Sequence, residues 1–431
     1  MTDPTLAALA GRDTTPEAAA DAARRFVADA IPAAWREAAE RGGPRAVRTV
    51  RTPEDYRDWY PAFGHSGLVA PTWAVEHGGL GWSRSAAAAA EAVLRPYHLP
   101  RLNPLGLNLA APVLFAHGTE AQRRRFLPPI VAAEELWCQL LSEPGAGSDL
   151  ASLATRAERD GDDWVVTGQK VWTTWADQAS FAVLLARTDP DVAKHAGLSF
   201  FFLPMHQPGV TVRPLPHIGG ETDFFETFMD RAHIPGDHLI GEVGEGWAIT
   251  QTMLNAERQM VTGAGVGGVE RIGGTGPTHL VRLARKRTAE GRSGGWDDPS
   301  TRDRIVRLWA EDQARRWTNQ RIRSTIAEGR TLGPEASIGK VHGTDLNQRI
   351  QSLAAELLGP EGIAWDGAVG SPQEFWDSAP AEVRGMLRSR ANTIEGGTTE
   401  VNKNVIAEKV LGLPREPDPH KGRPWRELPR S

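Results

Sequence analysis

The stretch from Trp137 to Thr174, WCQLLSEPGAGSDLASLATRAERDGDDWVVTGQKVWTT, constrains this chain more than any other. Its first half sets Ser142-Glu143-Pro144-Gly145-Ala146-Gly147-Ser148-Asp149 directly after an apolar run. Gly145 and Gly147 carry no Cβ, so backbone N–H groups there can approach an anionic group closely. The second half reads as a β-hairpin: an Asp160-Gly161 turn, then Trp164-Val165-Val166, a turn at Gly168, and Val171-Trp172-Thr173-Thr174. A flat aromatic beside two hydroxyls suits an aromatic cofactor whose ring edge takes hydrogen bonds. A Pro/Gly turn followed by an ordinary half-buried strand fits the same letters.

A chain of 431 residues is too long for one average core, so two or three domains are expected. A formal net charge of −5 and an ordinary apolar fraction point to neither a nucleic-acid partner nor a membrane surface. Cys138 is the single cysteine, which excludes an internal disulfide and CxxC-type metal or redox sites; it sits in an apolar run and reads as a buried, inert thiol. No metal site is expected. The amino terminus, MTDPTLAALAGRDTTPEAAAD, lacks a basic region followed by a long apolar one, and no run of about 18 apolar residues exists. A soluble, cytoplasmic protein is the expectation.

Along the chain the hydrophobic period changes twice. Residues 1–135 carry helical signals, with Thr14-Thr15-Pro16-Glu17 as a capped start and Ser85 to Leu94 as a strong helix former stopped by Pro96. Arg45 to Arg51 reads as a basic surface loop, and Pro71 to Ser83 as a Gly/Trp-rich one. From residue 136 the period shortens toward two, and short apolar runs at Ala179 to Arg187, Leu198 to Leu203, Val210 to Leu215 and Phe224 to Met229 make a β unit ending at residue 246. Helices return over 247–414, and the Pro- and Arg-rich tail, 415–431, reads as loosely held. Gly263-Ala264-Gly265-Val266-Gly267-Gly268 fits G-x-G-x-x-G by letter, yet it falls inside a helical run instead of after a strand, so no Rossmann site is expected there.

SEPGAGSD followed by GQKVWTT resembles the acyl-CoA dehydrogenase family, FAD flavoproteins that desaturate acyl thioesters between Cα and Cβ. The resemblance extends over PTWAVEHGGLGWS, GTEAQRRRFLPPI, GEGWAIT and EGGTTEVNKNVIAEKVLGLP, and it is of an actinobacterial type. It implies an α+β fold with an N-terminal helical domain, a middle β-barrel or sandwich, and a C-terminal four-helix bundle. It implies FAD, an acyl-CoA substrate, an electron-transfer flavoprotein or similar acceptor, and a homodimer or homotetramer. Carried over residue by residue, Ser142 matches a bond to the flavin's pyrimidine side, Thr174 a bond near N5, and Leu141 a backbone contact. Trp172 matches the residue packed on the ring, Gly147 and Ser148 lie at the pyrophosphate, and Thr398 and Glu400 fall at the adenosine end.

Desaturation needs a carboxylate for the α-proton and donors for the thioester oxygen. Many relatives carry the base in an E-G-T segment, where this chain has Gly396, with Glu395 one place earlier. Other branches take it from a helix in an L-x-x-E-R setting, here Leu254-Asn255-Ala256-Glu257-Arg258. Glu257 is therefore the expected base and Glu395 its competitor. Gly396 keeps the backbone N–H that the family turns on the thioester carbonyl, and Arg258 matches an arginine near the thioester. Two departures stand out. The R-x-x-F-G element that reaches a neighbouring subunit's FAD is replaced by Gly294-Gly295-Trp296-Asp297-Asp298-Pro299, and the glutamine before the G-G-x-G loop is lost in Ala355 to Gly362. A flavin oxidase or monooxygenase on the same fold, and a non-catalytic partner subunit, stay open as alternatives.

Overall fold

The structure, a computed structural model, describes residues 4–220, 222–261, 276–327, 333–363 and 378–429. Among the described residues the α-helices α1 (Pro4–Leu9), α2 (Pro16–Ala30), α3 (Ala33–Val50), α4 (Pro53–Gly64), α5 (Arg84–Leu94), α6 (Ala111–His117) and α7 (Glu120–Ala132) come first. The Thr15 hydroxyl accepts from Ala18 N with Pro16 in the first turn, the start that the letters announced. Buried Ala19, Ala22 and Ala23 of α2 face buried Ala86 and Ala90 of α5, side chains small enough for close helix contact. The expected Arg45 to Arg51 loop is instead helical to Val50, and the Arg51 guanidinium lies over the rings of Trp35 and Tyr56 at 4.9 and 4.1 Å.

Eight strands follow: β1 (Trp137–Leu140), β2 (Arg156–Asp160), β3 (Asp163–Thr174), β4 (Phe181–Arg187), β5 (Leu198–Pro204), β6 (Val210–Leu215), β7 (Phe224–Ile234) and β8 (Leu239–Ile240). They form one mixed sheet in the order β6-β7-β3-β2-β4-β5-β8, with β1 parallel to β4. Every residue of β4 is buried, which fits its near-continuous apolar run and its central position. One face of the sheet joins the helices through Trp137, whose ring meets Phe202 at 4.6 Å and Phe181 at 5.3 Å, while Phe126 of α7 reaches Phe202 at 5.2 Å. The other face buries Trp164, Phe201, Met229 and Cys138, and that burial pushes the Cys138 thiol far above its ordinary range.

The third region holds α8 (Gly246–Val261), α9 (Pro277–Ala289), α10 (Pro299–Ala327), α11 (Ala336–Leu358), α12 (Ala381–Arg388) and α13 (Thr399–Val405). A Cβ on Gly246 would lie 2.6 Å from the Ser199 carbonyl carbon, so only glycine lets α8 start this close to β5. Leu280, Ile305, Leu308, Leu346, Ile350 and Leu353 make the core among α9, α10 and α11. Against the expectation of a loosely held tail, Trp425 N donates to Val192 O, Trp425 Nε1 donates to Ser152 O, and the Arg187 guanidinium lies 4.3 Å from the Trp425 ring. The chain therefore returns to the β sheet before it ends. Residues 263–268, with their glycine pattern, lie outside the described residues. Among the described residues no helix is long and apolar enough to cross a membrane.

Candidate active site

The loop that follows β1 is stitched into the sheet. Ser142 O accepts from Val171 N at 2.9 Å, and Glu143 and Ala146 exchange backbone bonds at 2.9 and 3.1 Å. The Glu143 carboxylate turns inward, accepting from Ala154 N (2.7 Å), Thr155 N (2.9 Å) and Lys170 Nζ (3.0 Å). Lys170 has no exposed surface, and its ammonium also donates to Leu141 O at 2.8 Å and Leu185 O at 2.9 Å. Burial pushes Lys170 down to about 8, with Glu143 pulling it back up. Burial also works against the Glu143 charge, but Lys170 and the donors outweigh it and hold the carboxyl below its ordinary range. Behind the loop, Arg187 donates to Leu153 O, Lys194 O and Ala151 O at 3.1, 3.1 and 2.7 Å. Lys170, Glu143 and Arg187 were not anticipated from the sequence as residues that organise the site.

The expected cofactor residues of this anchored loop differ in exposure. Leu141 is buried with its carbonyl on Lys170, Ser142 is half-buried, and Gly147 and Ser148 are exposed, with open space where a Cβ on Gly147 would stand. The β3–β7 register slips between Lys170 and Thr173, so three residues of β3 span two of β7. This bulge puts Trp172 at φ +62° and turns it out, 53 % exposed, while Thr173 is buried with its hydroxyl on Phe225 O at 2.7 Å. Thr174, opposite Phe224, is half-buried. An indole this exposed beside half-buried hydroxyls is the surface that a flat aromatic group would cover. The residues present fit a flavin.

The acid-bearing half lies on α8 and the turn before α13. Glu257 is half-buried in α8; the side chain of Arg258 lies outside the described residues. Glu395 is taken up by neighbours. Arg388 donates to both its oxygens at 3.3 and 2.9 Å, and Asn392 Nδ2 donates at 2.8 Å. Gly396 and Gly397 follow at φ +61° and +83°, a conformation that disfavours any side chain, so both positions are shaped for glycine. The Thr398 hydroxyl accepts from Val401 N at 3.1 Å as the cap of α13, Glu400 is exposed in its first turn, and the buried Thr399 Oγ1 has no hydrogen-bond partner among the described residues. Phe224 ties the halves together, its ring 5.7 Å from Trp172 on one side and 5.7 Å from the Arg388 guanidinium on the other.

Elsewhere, Glu76, His77 and Glu120 bring ligand atoms within 4.8 Å of one another. Arg124 already holds the Glu120 carboxylate at 2.8 Å, which competes with any cation.

Three family profiles match in order: the acyl-CoA dehydrogenase N-terminal domain over residues 14–134, the middle domain over 138–230 and the C-terminal domain over 244–411. The chain belongs to the acyl-CoA dehydrogenase family. It is 37 % identical over 401 residues to the acyl-CoA dehydrogenase IpdE1 of Mycobacterium tuberculosis, covering 91 % of this chain and 96 % of that one. Among solved structures it is similar to the Tcur3481–Tcur3483 steroid ACAD, with a TM-score of 0.66, 29 % identity, and 93 % and 97 % of the two chains covered. The ChsE4–ChsE5 complex of Mycobacterium tuberculosis gives a TM-score of 0.67 at 28 % identity, covering 93 % and 98 %. The fold is thus the expected α+β one, of the actinobacterial branch, and the protein is an acyl-CoA dehydrogenase, an oxidoreductase of a flavoprotein family.

Proposed function

We propose that this acyl-CoA dehydrogenase binds FAD against Trp172 and desaturates an acyl-CoA with Glu257 as the base. Leu141, Ser142, Trp172 and Thr174 would hold the ring, Gly147 and Ser148 the pyrophosphate, and Thr398 and Glu400 the adenosine end. FAD, when bound, supplies the acceptor for the β-hydride. The Glu257 carboxylate takes the α-proton, leaving its electron pair to form the Cα–Cβ double bond. The Gly396 N–H steadies the thioester oxygen as charge grows on it, and Arg258 is assigned to the thioester by its match to the family.

The observation that carries the choice of base is the state of Glu395. Three donated hydrogen bonds on its two oxygens leave it anchored, and Glu257 is the acid that stands in the L-x-x-E-R setting on α8. Glu257→Gln is expected to stay yellow yet lose about 10²–10⁴-fold in anaerobic flavin reduction by acyl-CoA. Normal reduction in Glu257→Gln, with loss in Glu395→Gln, reverses the assignment. Admitting air afterwards separates the alternatives: rapid peroxide formation marks an oxidase or monooxygenase, silence at both stages a non-catalytic subunit, and slow reoxidation relieved by electron-transfer flavoprotein a dehydrogenase. Ring-bearing acyl groups belong first in the substrate panel, because a steroid ACAD is among the similar structures.

The protein is proposed to act as an oligomer. Val306, Trp309 and Trp317 are exposed along one side of α10, at spacings that share a helix face. Arg287 and Arg292, which precede the first departing segment, reach the second, Arg292 Nη2 donating to Glu361 Oε1 at 2.5 Å and Arg287 Nη1 to Leu357 O at 3.1 Å. That closure lies within one chain, where the family resemblance implies an element directed toward a neighbour's cofactor. It favours either a dimer with altered cofactor contacts or pairing with a second chain of the same fold, as in the ChsE4–ChsE5 complex. Sedimentation of the purified chain, alone and with chains co-expressed from its own source, distinguishes the two.

A further inference from the structure

Between α8, α11 and the turn before Gly396 lies a buried cation that the reaction as described does not use. Lys340, in the second turn of α11, is 3 % exposed, and its Nζ donates to the carbonyls of Asn392 and Glu395, both at 2.5 Å. Neither acceptor carries a charge, so among the described residues no counter-charge touches the ammonium where it is bound. Burial draws Lys340 below its ordinary range, and the carboxylates that oppose this are Glu395 first and Glu257 second. Glu395 is already neutralised by Arg388.

The turn that Lys340 grips is fixed by side chains as well. Gln351 Nε2 donates to Asn347 Oδ1 (3.1 Å), Asn347 Nδ2 to Asn392 Oδ1 (2.7 Å), and Asn392 Nδ2 to Glu395 Oε1 (2.8 Å). The peptide that follows the held Glu395 carbonyl is the one whose N–H belongs to Gly396. A single ammonium thus sets the plane of that amide and stands within electrostatic reach of Glu257.

We infer that Lys340 is a positioning residue for α-proton removal: it fixes the Gly396 amide and keeps the Glu257 carboxylate ionised beneath an apolar acyl chain. The inference rests on Glu257 being the base. An acyl chain strips water from the carboxylate and raises its pKa, and a buried cation on the neighbouring helix opposes that rise. Removing the charge therefore moves the pKa of the base upward. Because only the ionised form takes the proton, the acid limb of flavin reduction moves to higher pH.

The experiment compares Lys340→Gln, which keeps a donor but no charge, with Lys340→Met and Lys340→Arg in FAD-loaded protein. Two readouts are taken: the pH profile of anaerobic reduction, and the absorption shift of a bound conjugated 2-enoyl thioester, which reports polarisation of its carbonyl. Expected are an acid limb displaced upward by about one pH unit in Lys340→Gln with the absorption shift retained, loss of both in Lys340→Met, and a limb near its original position in Lys340→Arg. If Lys340→Met fails to fold, Lys340→Gln carries the test. An unmoved limb there, with reduction lowered equally at every pH, overturns the inference and leaves Lys340 a structural residue. The assignment beneath it fails separately: normal reduction in Glu257→Gln removes the base whatever Lys340 does.

Discussion

Two buried lysines stand at the two halves of the site, and they are held differently. Lys170, under the Ser142 loop, donates to two carbonyls and to a carboxylate of its own, Glu143. Lys340, under the Gly396 turn, donates to two carbonyls and leaves its charge to act on carboxylates further off. A cation neutralised in place is a fastener. A cation without a counter-charge in contact projects its field to neighbouring groups, because a low-dielectric interior screens it little. The β half of the site is therefore built for rigidity, and the helical half for electrostatics.

The largest effect that tests this contrast comes from breaking the fastener. Lys170→Met leaves Glu143 buried without its cation, which is expected to cost about 3–5 kcal/mol in urea unfolding and to abolish FAD retention. Lys170→Met combined with Glu143→Leu removes both charges, and most of the loss should return. If the double variant is no better than the single one, the pair is not acting as a unit and the contrast with Lys340 falls. Lys340→Gln, by comparison, should leave the unfolding midpoint much closer to wild type while moving the pH profile.

A smaller effect separates the halves by pH. The Glu143 carboxyl is held below its ordinary value of 4.5, so the unfolded chain takes up its proton first as pH falls. Its contribution to stability is whole above about pH 4.5 and is lost as pH drops through the depressed folded value. The gap in urea midpoint between wild type and Glu143→Gln is thus expected to be widest near neutrality and to narrow below about pH 4.5. A gap that stays constant down to pH 3 removes Glu143's ionisation from the account.

How much of this was legible in the letters follows from whether the cause was local. The hairpin was readable because Asp160-Gly161 and the alternating apolar residues are its own turn and its own face, and Arg156–Asp160 does pair with Asp163–Thr174. Ser142, Trp172 and Thr174 came from likeness to a family, and of the three Trp172 is exposed while Ser142 and Thr174 are half-buried. The role of Lys170 was hidden. In a regular strand it shares a face with Trp172 and Thr174, and only the bulge between Lys170 and Thr173 sends the lysine inward and the indole outward. Glu395 remained a competitor for the base because its partner Arg388 ends α12, seven residues back, with the intervening turn unknown. Lys340 looked like one polar letter in a long helix; its acceptors lie 52 and 55 residues away.

The tail gives the smallest expected effect and joins the two halves. Chain that follows α13, the helix begun by Thr398 and Glu400, returns to lay Trp425 on Arg187, and Arg187 holds the carbonyls of Ala151 and Leu153 behind the loop that carries Ser148. Burial pushes Arg187 down to about 10, and its partners there are carbonyls and an indole face. Trp425→Ala removes that face and one bond to Ser152 O, which should cost about 1–2 kcal/mol and weaken FAD binding measurably without touching a residue assigned to the flavin. Trp425→Phe keeps a ring and should recover most of it. If the tail belongs to the rigid half, FAD affinity falls in Trp425→Ala while the pH profile of reduction keeps its place. A displaced acid limb in that variant would mean that the tail also shifts the helices, and the division between fastened and field-bearing halves would have to be redrawn.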